Sequence, residues 1–175
     1  IDLNDFYADP TVMVSGDGTS AIMTEHSNLF TVLLSNDPYF GEPGILVSPS
    51  LLALSFAYSF SEPSNNDDNF YAKVFDGITG NIINFFLLED SGSGIVTWVL
   101  SSLDTTITLL GLEFQLNANF GDAGLNSVVT LNNVELTVVP EPSTVILLFT
   151  GLIGVFRLGK KILANKFFSL DPFIK

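Results

Sequence analysis

Cysteine is absent from the 175-residue chain, and histidine, basic residues and charge in general are scarce. The absence of cysteine excludes disulfides, iron–sulfur clusters, thiolate zinc sites and cysteine nucleophiles. The single histidine leaves little scope for histidine-based catalysis or a histidine-rich metal site. The chain has only six Lys and Arg but 19 Asp and Glu, so no basic surface is large enough to neutralise nucleic-acid phosphates. Apolar residues reach 47 %, which excludes an intrinsically disordered chain.

The few charges are divided unevenly along the chain. Residues 1–140 contain one base, Lys73, and 17 acids, which gives this part a net charge of −16. The other five bases all lie within residues 157–175. An acidic body joined to a short basic tail indicates two physically distinct parts of one chain.

An uncharged apolar run separates these two parts. It covers the 14 residues 143–156 and is followed closely by Arg157, Lys160 and Lys161. At about 1.5 Å per residue, a helix over this run is shorter than a bilayer core of roughly 30 Å. Continuing the helix through Leu163 supplies the missing length, and the bases can extend their charges to the membrane surface. We therefore predict a single C-terminal transmembrane helix, with a buried core helix as the alternative.

The residues around the apolar run resemble a known sorting signal. The tripeptide Pro140-Glu141-Pro142 and Ser143 precede the run, and the basic cluster follows it near the C-terminus. This order, over residues 139–161, resembles the PEP-CTERM protein-sorting signal of exopolysaccharide-producing bacteria. The resemblance implies export by the general secretory route and recognition by an exosortase, a membrane protease that cuts near the tripeptide. It also implies a final place at the cell surface or in the extracellular matrix.

The basic cluster also predicts how the helix is oriented. Under the positive-inside rule the C-terminus lies in the cytoplasm and residues 1–138 lie outside it. The chain then continues over residues 162–175, whereas tails of the resembled signal stop within a few residues of the bases. Phe167 and Phe168, mixed with Lys166, suit the inner-leaflet interface. We expect a full-length anchored form to persist beside a cleaved one.

Residues 1–138 have the pattern of short strands separated by turns, without a sustained 3.6-residue apolar period. The predicted strands are Thr11–Val14, Ser20–Glu25, Leu29–Ser35, Leu51–Phe60, Asn69–Asp76, Asn81–Leu88, Gly94–Leu100, Thr105–Ala118 and Ser127–Val138. The segment Ser15–Thr19 between the first two contains Asp-Gly, which is a hairpin signal. About nine strands at this spacing predict an all-β sandwich or barrel.

Two of these strands resemble strands of the jelly-roll β-sandwiches found among carbohydrate-binding modules. They are the penultimate segment, Ile107–Leu116, and the closing segment, Leu131–Leu136. The closing segment is similar to the Asp-Asn-Val ending of such modules. The resemblance implies a jelly-roll-like antiparallel sandwich over residues 1–138, followed by the transmembrane helix. A shared fold does not by itself carry a function.

The body offers no strong catalytic motif. The only histidine, His26, follows a predicted strand as a turn residue does, and no Gly-x-Ser-x-Gly element accompanies it. Acids adjacent in loops, such as Glu89 and Asp90, have no pattern that places two carboxyl groups across a cleft, as a glycosidase requires. We therefore interpret the protein as non-catalytic.

A structural calcium ion is the one cofactor that the acids suggest. Residues 65–69 offer five oxygen-bearing side chains, and Ca²⁺ prefers oxygen ligands. The segment is not an EF-hand loop, because Phe70 stands where the loop requires glycine. Jelly-roll modules often hold such an ion between the beginning and the end of the sandwich. On that resemblance, the candidate ligands are Glu25, Asp67, Asp68 and Asn133.

Exposed flat aromatic side chains are the usual contacts to sugars. Trp98 is the only tryptophan, and it alternates with Val96 and Leu100 on one side of a predicted strand. We expect it in the core. Tyr39 and Phe40, in a loop rich in proline and glycine, are better candidates for an exposed aromatic contact.

We expect a non-catalytic exported protein of the bacterial envelope, anchored in the inner membrane or released to the cell surface. One alternative is an accessory subunit of a larger membrane complex, since Thr150 and Gly154 permit close helix packing. The other is a lectin-like module that binds envelope polysaccharide. The expected parts are an acidic sandwich (1–138), a sorting and transmembrane segment (139–161) and a short basic-aromatic cytoplasmic tail (162–175).

The membrane anchor predicts how the chain fractionates. The full-length protein should stay with membranes through a high-salt wash, because a spanning helix is held by apolar burial rather than by charge. Replacing Leu148 and Ile153 with Asp should release it, since each acid costs about 3 kcal/mol near the helix centre. Immunoblots of membrane and soluble fractions measure this, with Ala at both positions as the control. Release of the unmodified protein by salt alone would contradict the anchor.

Overall fold

A computed structural model describes residues 1–47, 52–63, 68–100, 107–118 and 127–139 of the chain. These residues belong to the first of the two units into which the chain divides, Ile1–Val139. The predicted transmembrane helix and cytoplasmic tail lie outside the described residues. Within the described part, no helix is long and apolar enough to span a bilayer.

Eleven strands and two short 3-10 helices form the described regular structure. The strands are β1 (Tyr7–Ala8), β2 (Val12–Val14), β3 (Ser20–Thr24), β4 (Thr31–Asn36), β5 (Ile45–Leu46), β6 (Leu52–Ser61), β7 (Asn69–Asp76), β8 (Ile82–Leu88), β9 (Gly92–Val99), β10 (Leu109–Asn117) and β11 (Val128–Val138). The helices are η1 (Leu3–Asp5) and η2 (Pro38–Phe40).

The strands form two antiparallel sheets that pack as a sandwich. The six-stranded sheet has the order β1-β4-β10-β7-β8, and β5 pairs with the first residues of β10. The five-stranded sheet has the order β2-β3-β11-β6-β9. Most spatial neighbours are not neighbours in sequence, so the chain crosses repeatedly between the sheets. The prediction of an all-β antiparallel sandwich is confirmed.

An aromatic cluster joins the two sheets at the centre of the core. The fully buried ring of Phe56, on β6, lies 5.2 Å from the ring of Phe114 and 6.5 Å from the ring of Phe70, both on the opposite sheet. Trp98, on β9, lies 5.4 Å from the same ring. These edge-to-face contacts add to the burial of apolar surface. The prediction that Trp98 packs in the core is confirmed.

The nine predicted strands all appear, with ends that differ by a few residues. The hairpin at Ser15–Thr19 is also confirmed, because β2 and β3 pair across it. The Asp17 carboxylate accepts hydrogen bonds from the Ser15 hydroxyl and from the backbone N–H of Thr19. The sequence did not predict β1 or β5, because two residues are too few to show an alternating pattern.

Gly111 allows an unusually close approach between β10 and its neighbour β7. The ring of Phe75, the residue paired with it, covers the glycine so closely that a Cβ there would lie 2.2 Å from Cζ of the ring. Phe75 is only 3 % exposed, so its ring has little room to move away. Glycine is therefore required at position 111 for packing rather than for backbone conformation.

Gly111→Ala should destabilise the sandwich by about 1–3 kcal/mol, because the new methyl group must displace the buried ring. Gly16→Ala is the matched control, since no atom lies within 4 Å of its Cβ position, and it should change the stability by less than about 0.5 kcal/mol. Urea unfolding of the purified full-length chain, followed by Trp98 fluorescence, measures both. Equal stabilities of the two variants would show that the ring moves freely.

Candidate functional site: the outer face of the six-stranded sheet

The side of the six-stranded sheet that faces away from the core carries an ordered set of polar and aromatic side chains. Because side chains alternate along a strand, β10 buries Leu112 and Phe114 in the core and turns Glu113, Gln115 and Asn117 outward. We call this side the outer face. Polar residues on the central strand of a sheet form the floor of any surface built there.

The pairing register aligns five residues in a row across the outer face. The row is Tyr7, Ser35, Glu113, Lys73 and Phe85, one from each successive strand of the sheet. We call this set the central row. With strands about 4.8 Å apart, it spans roughly 19 Å. An aromatic residue stands at each end, and hydrogen-bonding groups lie between.

A charged network occupies the middle of the central row. The Lys73 ammonium lies 2.8 Å from one carboxylate oxygen of Glu113, to which the Gln115 amide also donates. The Ser35 hydroxyl donates to the other oxygen at 3.3 Å. The same ammonium lies 5.3 Å from the centre of the Phe75 ring, within the range of a cation–π contact. The Glu113 side chain is 5 % exposed and that of Lys73 is 24 % exposed.

A second polar ladder crosses the face near the other end of the strands. Asn117 accepts a hydrogen bond from the Thr31 hydroxyl at 2.8 Å and donates one to Asn69, also at 2.8 Å. All three residues are directly paired in the sheet. The floor therefore consists of amide, hydroxyl and charged groups held by one another.

Aromatic and apolar side chains flank this floor on the β8 side. Phe85 is 59 % exposed, and its ring lies 6.1 Å from that of Tyr71 at an angle of 31°. Leu87, paired with Tyr71, is also exposed. Tyr7 stands at the opposite edge, where its hydroxyl donates to Asp9 at 2.8 Å. That hydrogen bond raises the pKa of Tyr7, so the hydroxyl stays protonated.

The loop predicted to offer an aromatic contact stands at the end of this face. Asp37 caps η2 by accepting the Tyr39 N–H at 2.8 Å, Pro38 begins the helix, and Gly41 ends it in the left-handed conformation. These are the residues that favour such a short helix. Tyr39 and Phe40 are 86 % and 75 % exposed.

The η2 loop borders two hollows on the outer face. The first, of about 270 Å³, is lined by Tyr7, Leu33, Ser35, Asp37, Phe40 and Glu42. The second, of about 310 Å³, lies between η2, the end of β7 and the turn 77–80, and Lys73 and Phe75 line it. Phe40 and Asp37 line both. At that turn the Thr79 hydroxyl donates a hydrogen bond to the Asp76 carboxylate, which lowers the pKa of Asp76.

The predicted calcium ligands do not come together as one set. Glu25 and Asp68 meet around Ser127, whose hydroxyl donates to Asp68 at 2.5 Å and whose N–H donates to Glu25 at 3.4 Å. Because Ser127 precedes β11 and Asp68 precedes β7, this contact ties the two sheets together.

Asn133 lies away from Glu25 and Asp68, so the predicted set of calcium ligands is corrected at this residue. It accompanies a bulge in β11, has a φ of 52°, and donates its N–H to the carbonyl of Thr19. Thr19 and Glu25 stand at opposite ends of β3, roughly 20 Å apart. Asp67 lies outside the described residues. In the described ranges no three His, Cys, Asp or Glu side chains group as a metal site, and the calcium ion stays a prediction.

The sequence missed the central row, although one signal for it is visible. Glu113 and Gln115 alternate with large apolar residues in Ile107–Leu116, so both must face away from the core. That Lys73 and Ser35 lie beside Glu113 follows from the pairing of β10 with β7 and β4. These strands are distant in sequence, so local patterns do not reveal the register. His26 lies after β3, where its Nδ1 accepts the Asn28 N–H, as expected of a turn residue.

Comparison with known proteins adds two findings. Residues 138–161 are a PEP-CTERM protein-sorting motif. The match contains Pro140-Glu141-Pro142 and the bases Arg157, Lys160 and Lys161, all outside the described residues. The motif implies that the protein is exported, is membrane-anchored or at the cell surface, and is processed by an exosortase. The resemblance stated from the sequence is confirmed. No curated protein matches the chain.

The second finding concerns the sandwich. It is similar to TmCBM61, a carbohydrate-binding module, with a TM-score of 0.52 and 11 % identity over 77 % of this chain and 87 % of that one. The CBM22-2 xylan-binding domain of Paenibacillus barcinonensis Xyn10C aligns over 79 % and 94 %, with a TM-score of 0.42 and 16 % identity. A family 16 module aligns over 76 % and 85 %, with a TM-score of 0.43 and 10 % identity. At such identities the likeness to TmCBM61 shows the jelly-roll fold alone.

The network in the central row can be tested by a double-mutant cycle. Lys73→Met leaves the buried Glu113 without its cation, and Glu113→Gln leaves Lys73 without its anion. Each should destabilise the sandwich by about 1–3 kcal/mol. The double variant should be less destabilised than the sum of the two by at least about 1 kcal/mol. Urea unfolding measures all four proteins, and additive effects would show that the ion pair is not formed.

Proposed function

We propose that the sandwich binds a polysaccharide of the cell envelope at its outer face. The observation that carries this proposal is the central row, in which polar groups form a floor between Tyr7 at one edge and Phe85 at the other. Ligand sites of this kind combine apolar walls with a few fixed polar groups. The row is longer than one sugar, which suits a polymer rather than a monosaccharide.

The chemistry of the face matches that of a sugar chain. Sugars present hydroxyl groups around a ring whose faces are rich in C–H bonds. The part-buried amides of Gln115 and Asn117 supply donors and acceptors, and the buried Ser35, whose hydroxyl donates to Glu113, lines the first hollow beneath them. The rings of Phe85 and Phe40, more than half exposed, supply flat apolar surfaces at low entropic cost, since their side chains have few rotatable bonds.

The structural likeness supports the same ligand class. The TmCBM61 structure was solved in complex with β-1,4-galactotriose, and it shares the sandwich architecture of this chain. At 11 % identity the sugar specificity must come from this chain's own side chains. We infer a role in binding without catalysis. In support of it, the carboxylate of the central row, Glu113, has both oxygens hydrogen-bonded and one of them also paired with Lys73.

The sorting motif supports a location for this binding, which we propose as follows. The apolar run holds the chain in the inner membrane with the sandwich outside and the C-terminus in the cytoplasm. Cleavage by the exosortase near Pro140-Glu141-Pro142 then frees the sandwich for the surface. The protein thus brings a polysaccharide-binding face first to the membrane where the polymer emerges and later to the surface matrix.

The proposal predicts which aromatic side chains matter. Phe40→Ala with Phe85→Ala should weaken polysaccharide binding by at least about tenfold, because exposed aromatic anchors dominate such contacts. Met13→Ala with Ile95→Ala is the matched control. Both of these residues are exposed on the other sheet, by 62 % and 75 %, and this variant should bind like the unmodified chain. Biolayer interferometry of the full-length protein in mild detergent, against a panel of envelope and plant polysaccharides, measures the affinities.

The outcome that contradicts the proposal is equally specific. Unchanged binding by the Phe40 and Phe85 variant, together with lost binding by the control, would place the ligand on the five-stranded sheet. An absence of binding to every polysaccharide would exclude the lectin-like function. In that case copurification from host membranes would test the accessory-subunit alternative.

A further inference from the structure

The charges around the outer face indicate which class of polysaccharide it accepts. Resting on the function proposed above, we infer that the face binds an uncharged polysaccharide and excludes polymers of uronic acids. Three features support this inference: the pairing of Lys73 with Glu113, the acids at the rim of the face, and the net negative charge of residues 1–140.

The only base of residues 1–140 is not available to an anionic sugar. Lys73 lies 2.8 Å from the Glu113 carboxylate and faces the ring of Phe75. A ligand carboxylate that approached this ammonium would also meet the Glu113 carboxylate, so it would have to share the cation with a like charge or displace Glu113. The displaced carboxylate is buried, so it would be left without its cation in a site that water does not reach. The middle of the face therefore behaves as a neutral, hydrogen-bonded floor.

The remaining charges at the rim are negative. Asp37 lines both hollows and Glu42 lines the first. One oxygen of Asp37 accepts the N–H of Tyr39, which fixes the carboxylate beside the hollows. A uronic acid carboxylate in either hollow would lie close to a like charge. Among the residues that line the two hollows the one cation is Lys73, which already pairs with Glu113, so such juxtapositions are unfavourable.

The surrounding body reinforces this local effect. Residues 1–140 carry a net charge of −16, so a polyanion meets repulsion before it reaches the face. An uncharged hexose polymer meets no such repulsion, and its hydroxyl groups can use the amides and hydroxyls of the floor. The acids at the rim thus select against charged polymers, while the neutral floor accepts hydroxyl groups.

The test compares polymers that differ only in charge. Three neutral hexose polymers serve as probes: β-1,4-galactan, mixed-linkage β-glucan and β-1,3-glucan. Each is also prepared with its C6 hydroxyls oxidised to carboxylates, and with those carboxylates converted to amides. Polygalacturonate and alginate represent natural uronic acid polymers. Binding to the full-length protein in mild detergent is measured at low and high salt.

At least one neutral polymer should bind, and its oxidised form should bind at least about tenfold more weakly. The amide form should recover the affinity because it is uncharged, even though an amide is bulkier than a hydroxyl group. High salt should reduce the difference, since it screens exposed charges. Neither polygalacturonate nor alginate should bind at low salt.

Matched variants separate the rim from the body. Asp37→Asn with Glu42→Gln removes two charges at the hollows and keeps the cap acceptor for Tyr39. Glu89→Gln with Asp90→Asn is the control. It removes two exposed charges just after β8, at the end of that strand away from the turn 77–80, so that both variants have the same net charge. Only the first variant should improve binding of the oxidised polymer, by about three- to tenfold.

Two outcomes would overturn the inference and leave the proposed function in place. One is an oxidised or natural uronic acid polymer that binds as tightly as the neutral one. The other is an equal gain in both charge variants, which would assign selection to the overall charge and not to this face. Failure of all polymers to bind would instead reject the proposed function itself, and this inference with it.

Discussion

The register of β10 is the constraint on which the core and the outer face both depend. Leu112, Phe114 and Leu116 on this strand are fully buried, while Glu113 and Gln115 between them form the floor of the face. A slip of one residue would turn the acid into the apolar core and the apolar side chains onto the outer face. Pairing with β4 on one side and β7 on the other fixes the strand, so the packing that stabilises the sandwich also positions the binding groups.

Much of the fold was visible in the sequence, because alternation and turn residues are local signals. The hairpin around Asp17, the long strand Leu52–Ser61 and the burial of Trp98 were all predicted from neighbouring residues. The central row was not, because it joins residues from five strands whose order the sequence does not show. Asn133 was misplaced for a related reason. A family pattern located it along the chain, but the bulge in β11 and its pairing with β3 decide what lies beside it.

In the proposed function, the two parts of the chain divide the work between delivery and recognition. The sorting motif over residues 138–161 determines where the protein goes, and its chemistry is that of an apolar run bounded by bases. The sandwich needs neither disulfides nor a basic surface, since its core closes around aromatic rings from both sheets. The polar groups that we propose contact the ligand hold one another in place in the structure, and such preorganisation reduces the entropy lost on binding.

In the proposed function, a polysaccharide lies across the outer face of the six-stranded sheet. Backbone amide NMR of the full-length chain in micelles tests this arrangement. The ligand is a soluble oligosaccharide cut from a polymer that the protein binds in the interferometry panel. We expect the largest chemical-shift changes at Ser35, Lys73, Glu113 and Gln115, with little change on the outer side of the five-stranded sheet. Changes concentrated at Ala57, Ile95 and Thr130 of that sheet, with the central row unaffected, would contradict it.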